Sequence, residues 1–274
     1  MDCQDTMKFE INKGKRIGQV LFIVEGLKTE PNLIYQIFCK IFGYQMDRLY
    51  RNGEYRVFHR TDDPFSKITV INTEESNIGF ISKDNEFLNR MFETLIEDYQ
   101  LDIDNAAIYY LFDRDPASNT DKTFIEDMLS KLASARDINE DMERQGLLLL
   151  SYPCIESFVG MNLLSNSIDY CWRKTVSIGD DLKKSLQQDG LIPNKISEQT
   201  LIHCADELIS SLSLIGVETT KDAIHARMDH FADTNTCVYE WQEQQYGIRN
   251  QYGLLSLFIM ALIDLGLINI VQDE

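Results

Sequence analysis

Four apolar runs constrain the fold of this chain more than any other feature: QVLFIVE (19–25), ITVIN (68–72), AAIYYLFD (106–113) and GLLLLSY (146–152). Each is short and nearly continuous in apolar residues, the pattern of strands buried on both faces of a parallel sheet. Segments of helical period lie between them. Leu33, Ile34, Ile37, Phe38 and Ile41 fall on one helix face, as do Phe87, Leu88, Met91, Phe92 and Leu95. Phe124, Ile125, Met128, Leu129 and Leu132 do the same, with Ser118 and Asp121 as the predicted start signal. Strands alternating with helices of this length imply βαβ units with right-handed crossovers. The expected fold class is α/β, built on a parallel sheet.

Beyond about residue 160 the strand signal fades. Helical patterns take over at 197–215, at 220–232 behind Thr219 and Asp222, and at 253–265. The predicted organisation is an α/β domain over 1–165 and a helical C-terminal region over 166–274. The run LLSLFIMALIDLGLINIV (254–271) approaches the length of a membrane span, but Asp264 and Gly266 interrupt it and no basic flank follows. It predicts a buried core helix followed by a short extended tail. Cys3, Cys39, Cys154, Cys171, Cys204 and Cys237 are widely spaced and form no CxxC pair, and no leader segment is apparent. They read as reduced thiols of a cytoplasmic protein. His225 and His230, five apart, are poorly spaced for zinc.

Charge is uneven. Residues 1–60 carry 10 basic and 7 acidic side chains, residues 61–150 carry 8 and 20, and residues 151–274 carry 8 and 17, for a net −18. Such a chain repels polyanions in general. Contact with nucleic acid is therefore expected from the basic segment (Lys13, Lys15, Arg16, Arg48, Arg51, Arg56, Arg60), unless these are ordinary solvated residues.

In an open parallel sheet, ligands bind at the carboxyl ends of the strands. Glu25 ends the first run, Asp113 and Asp115 end the third in LFDRDP, and Ser151 ends the fourth, with Glu156 five residues on. One acid after a strand is usually a turn or cap residue. Several on one edge repel one another and need a cation, and Mg²⁺ suits carboxylate and water ligands.

With these residues in view, the chain resembles the Toprim domain, a Rossmann-like, metal-dependent catalytic fold. EG-x-x-TE at 25–30, FDRD at 112–115 and S-x-P-C-x-E at 151–156 are most similar to RloB-like proteins. They are also similar to the AriB-type Toprim nuclease subunits of anti-phage systems (PARIS and OLD-related). The resemblance spans roughly 17–165, and the long spacing from Glu25 to Asp113 implies an insertion at about 44–85. It implies that Glu25 serves as general acid/base and metal ligand and that Asp113 and Asp115 hold Mg²⁺, for which Mn²⁺ can substitute. Glu30, Ser151 and Glu156 would complete a second metal site. Gly26 supports the motif; Lys28 either contacts a phosphate or is a solvated first-turn residue.

The expected function is thus a Mg²⁺-dependent nuclease hydrolysing DNA or RNA, the effector of a bacterial anti-phage defence system. No P-loop, GxGxxG or Ser-His-Asp arrangement is present, so an ATPase or sensor is expected as a separately encoded partner, alongside a homodimer and no membrane. Two other readings stand. One is a haloacid-dehalogenase-like phosphatase using Asp113 and Asp115 with Ser151, Asp180 and Asp181. The other is a non-catalytic Toprim-like binding subunit. Tyr109 and Tyr110 read as core residues, not nucleophiles.

Overall fold

The computed structural model describes residues 7–47, 55–73, 87–98, 101, 105–117, 121–138, 144–224 and 231–271. Its strands are β1 (Lys8–Ile11), β2 (Gln19–Val24), β3 (Tyr44–Met46), β4 (Tyr55–Arg60), β5 (Asp63–Asn72), β6 (Ala106–Asp113), β7 (Ala133–Ile138), β8 (Arg144–Tyr152), β9 (Leu255–Ser256) and β10 (Ile268–Val271). The helices are α1 (Thr29–Ile34), α2 (Phe87–Glu97), α3 (Lys122–Lys131), α4 (Glu156–Leu163), α5 (Tyr170–Lys174), α6 (Gly179–Gln188), α7 (Glu198–Ile215), α8 (Ala232–Arg249) and α9 (Phe258–Asp264).

The four apolar runs become the centre of one sheet of order β3-β4-β5-β2-β6-β8-β7, with β9 pairing β8. The inner pairs β5–β2, β2–β6 and β6–β8 are parallel. The sheet as a whole is mixed rather than parallel throughout, because β3, β4, β7 and β9 add antiparallel at its edges. These edge strands are short or half-polar, as in YRVFHR at 55–60. They lack the continuous apolar signature of strands buried on both faces. The described part of 44–85 supplies β3 and β4 of this antiparallel edge and also β5, an inner strand paired parallel to β2.

Core packing explains the central strands. Phe22 of β2 is fully buried, with the rings of Tyr109 and Phe258 at 5.4 Å and 5.9 Å. Burying a side chain of this size contributes about 1.5–3 kcal/mol. Gly146, at φ +141°, lies where any Cβ would collide with the ring of Tyr110. Tyr109 and Tyr110 are both in the core, as their sequence context predicts.

The helical C-terminal region is present, with details that differ from the sequence pattern. Asp121 caps α3 by accepting from the Phe124 amide at 3.0 Å; Ser118 lies outside the described residues. The pattern at 220–232 gives a helical turn over 221–224; 225–230, with both histidines of interest, lie outside the described residues. The run at 253–265 is not one helix. Leu255 and Ser256 pair with Tyr152 and Ser151, α9 follows, and after Gly266 (φ +67°) β10 pairs with β1. The two-state pattern of a buried helix and an extended tail is retained. No helix among the described residues is long and apolar enough to cross a membrane.

Strand order creates a crevice. From β2 the chain crosses to β5 on one side, and from β6 it proceeds to β8 on the other. The carboxyl ends of β2 and β6 therefore bound the space where ligands bind in such sheets.

Candidate active site

A cleft of about 700 Å³ opens at that edge. Glu25 follows β2, Glu30 lies in the first turn of α1, Asp113 ends β6 and Glu156 begins α4; all four line the cleft. Backbone amides of neighbouring elements hold three of them. The Asp113 amide donates to Glu25 Oε2 at 2.8 Å, and the Ile155 amide donates to Asp113 Oδ1 at 2.8 Å. This chain of bonds ties the end of β2 to the end of β6 and that to the start of α4. Glu30 folds back to accept from the Gly26 amide at 2.9 Å. A Cβ on Gly26 would stand 2.5 Å from Glu30 Oε2, which explains the glycine.

Glu156 is only 8% exposed. Its Oε1 accepts from the Thr29 hydroxyl at 2.9 Å and faces Lys183 Nζ of α6 at 3.6 Å. Its Oε2 is buried and meets no nitrogen or oxygen donor, and the Cys154 thiol also reaches this carboxylate. Unpaired buried oxygens are costly and call for an explanation.

The electrostatics follow from this crowding. Burial, and then the charges of Glu25, Glu30 and Glu156, hold the Asp113 carboxyl well above the usual carboxylate range. Burial also raises Glu30, with Glu156 adding to it against the Gly26 amide bond. Burial alone would lower Lys183, but Glu156 and, to a lesser degree, Cys154 and Asp113 outweigh it and hold the ammonium above its ordinary value. Four acids beside two lysines, Lys28 and Lys183, leave the cleft short of positive charge.

Of the remaining motif residues, all but Lys28 point elsewhere. Asp115 turns from the cleft: its Oδ2 accepts from the Gly179 amide at 3.1 Å and its Oδ1 from Ala117 at 2.9 Å. It caps the start of α6. The Ser151 hydroxyl is buried against that of Ser256 at 2.8 Å. Asp180 and Asp181 are exposed on α6, and Asp181 pairs with Lys184. Lys28 lines the cleft.

The basic segment is at the opposite edge. Lys13 pairs with Glu198, Arg16 with Asp63 and Arg60 with Asp62, and Arg60 also donates to the Lys15 carbonyl. These residues flank the amino ends of β2 and β5, about 20 Å of strand away from Glu25. Strand direction thus places Lys13, Arg16 and Arg60 away from the cleft, whereas Arg56 lies on β4 opposite Val70, nearer the carboxyl end of β5; Arg48 and Arg51 lie outside the described residues.

Sequence reasoning missed Lys183, and it missed Asn72, whose amide donates to the Gly26 carbonyl at 2.5 Å and steadies the loop after β2. It also missed Arg114, between the two aspartates. That guanidinium is 2% exposed, meets Glu243 at 2.9 Å and lies 5.7 Å from the rings of both Tyr239 and Tyr252. A charged residue in a polar motif reads as solvated unless its distant partner is known.

Among the described residues, no group of three or more His, Cys, Asp or Glu is already set to hold a metal ion. Comparisons with protein-family models, with curated proteins and with solved structures returned no match.

Proposed function

We propose that this chain is a metal-dependent phosphodiesterase that hydrolyses DNA or RNA in the cleft at the carboxyl ends of β2 and β6. The observation that carries the reading is the convergence of Glu25, Glu30, Asp113 and Glu156 on one cleft, with Glu156 Oε2 buried away from any nitrogen or oxygen donor. The donor set is all oxygen and more negative than Lys183 offsets, which fits a hard divalent cation. On this reading Glu25, Glu30, Asp113 and Glu156 hold Mg²⁺ or Mn²⁺ after adjusting their side chains. Such a cation polarises a phosphate and activates water.

The chain's own groups supply the rest. The amide bonds to Glu25 and Asp113 keep the two strand ends in register. Glu25 is the acid–base candidate, and Lys183 and Lys28 offset phosphate charge. Asp115, which the motif assigns to the metal, instead holds α6, and with it Lys183, against the sheet. The wider role as a cytoplasmic anti-phage effector, a homodimer served by a separately encoded ATPase sensor, rests on the Toprim resemblance alone.

The test is the purified chain with Mg²⁺ or Mn²⁺ against plasmid, single-stranded DNA and bulk tRNA, beside Glu25→Gln and Asp113→Asn. Both variants keep an acceptor for the backbone amide, so loss of cleavage is expected with the fold intact. Either variant cutting at the wild-type rate refutes the site.

A further inference from the structure

The cleft has two unlike walls. One is the carboxylate edge. The other is formed by α6 and the turn after it, where Leu191, Ile192 and Pro193 present aliphatic surface over the buried Leu186. Ile192 remains 39% exposed, large apolar area left open to solvent. Binding a cation and a phosphate makes no use of such a wall. The basic side chains lining the cleft, among the described residues, are Lys28 and Lys183. Lys13, Arg16 and Arg60 form their ion pairs at the far edge of the sheet.

We infer that the cleft takes one unpaired nucleotide of a single-stranded chain, its phosphate between the two lysines and the carboxylate edge and its base against the aliphatic wall. The inference rests on the phosphodiesterase reading and names its substrate class. A duplex is gripped through a long track of cations matched to its phosphates, and affinity scales with that number. Here two lysines stand in a chain of net charge −18. A base packs its face on apolar side chains only when it has left its stack and its pair. A cleft of about 700 Å³ also falls within the roughly 300–1,000 Å³ of pockets that enclose small ligands. Glu156, only 8% exposed and with Oε2 lacking a nitrogen or oxygen donor, lines the same space.

The experiment measures binding rather than turnover. The full chain, with Ca²⁺ in place of Mg²⁺, is titrated into fluorescein-labelled oligo-dT, oligo-rU and a blunt duplex of equal length, read by anisotropy at several salt concentrations. A single strand should bind about tenfold or more tightly than the duplex. Tight binding of either single strand meets the expectation, and the tighter of the two names the sugar. Two phosphate contacts predict a slope of log K against log salt near about −1.4. Ile192→Asp should weaken single-strand binding about tenfold without moving the thermal midpoint, since the side chain is partly exposed. Lys183→Ala should make the slope shallower by about 0.7. Duplex binding as tight as single-strand binding, a slope several-fold steeper, or wild-type binding by Ile192→Asp overturns the inference. Equal Mg²⁺-dependent cleavage of duplex and single strand leaves the phosphodiesterase standing and sinks only the single-nucleotide cleft. Absence of cation-dependent binding or cleavage of every probe sinks both.

Discussion

Asp113→Asn removes one negative charge from the most crowded part of the cleft while keeping an oxygen for the Ile155 amide. At an effective dielectric of 20, two like charges 4 Å apart repel by about 4 kcal/mol. Glu25, Glu30 and Glu156 all act on Asp113 in this sense, and burial adds to them. The Ile155 bond and Lys183 offset part of that cost. The variant should therefore be more stable than the wild type at neutral pH without divalent cations, by on the order of 1–3 kcal/mol. For a chain of this size that is about 2–4 °C in midpoint for each kcal/mol. The pH dependence has a definite sign. An aspartate in the unfolded chain titrates near about 3.9, and the folded value lies above it. Between the two, the folded state holds a proton that the unfolded state has lost, so wild-type stability falls as pH rises through this window. The loss is about 1.36 kcal/mol per pH unit within it. Asp113→Asn should flatten that fall. Mg²⁺ should reverse the ranking: a ligand at a hundredfold excess over its Kd adds about 2.7 kcal/mol to the state that binds it, and the variant should lose most of this gain. Calorimetry and urea unfolding with and without MgCl₂ read both effects. A variant less stable than wild type by about 1 kcal/mol without divalent cations, or one keeping the full Mg²⁺ shift, refutes the reasoning.

Removing one partner of the buried Arg114–Glu243 pair, as in Glu243→Ala, should cost about 3–5 kcal/mol, while Arg114→Leu with Glu243→Leu should cost much less, because the double change leaves no uncompensated buried charge. Urea unfolding of the two variants checks this, and equal losses for the single and the double change contradict it. Asp115→Ala should cost about 1 kcal/mol through the lost cap on α6, yet retain the Mg²⁺ shift in thermal midpoint. Loss of that shift without loss of stability would return Asp115 to the metal.

The sequence by itself determined the central strands and the chain order of the acids that end them. Continuous apolarity is a local property, and a strand fully buried in a parallel sheet carries it regardless of its neighbours. That is why 106–113 is read to its boundaries and why Glu25 and Asp113 are recognisable as edge residues. The half-polar edge strands β3, β4 and β7 lack that mark, since their faces are set by what covers them. Orientation beyond a strand end is not encoded locally either. Asp113 and Asp115 sit two residues apart, but alternation ends with the strand, so the loop turns one acid to the cleft and the other to α6. Lys183 reaches Glu156 only because α6 packs beside α4, and Arg114 is buried only because Glu243 and two tyrosines close over it. Lys13, Arg16 and Arg60 belong to the far edge because β2 and β5 run parallel, which puts their shared amino end opposite the cleft. Each of these depends on contacts between residues distant in the chain, which only the tertiary structure decides.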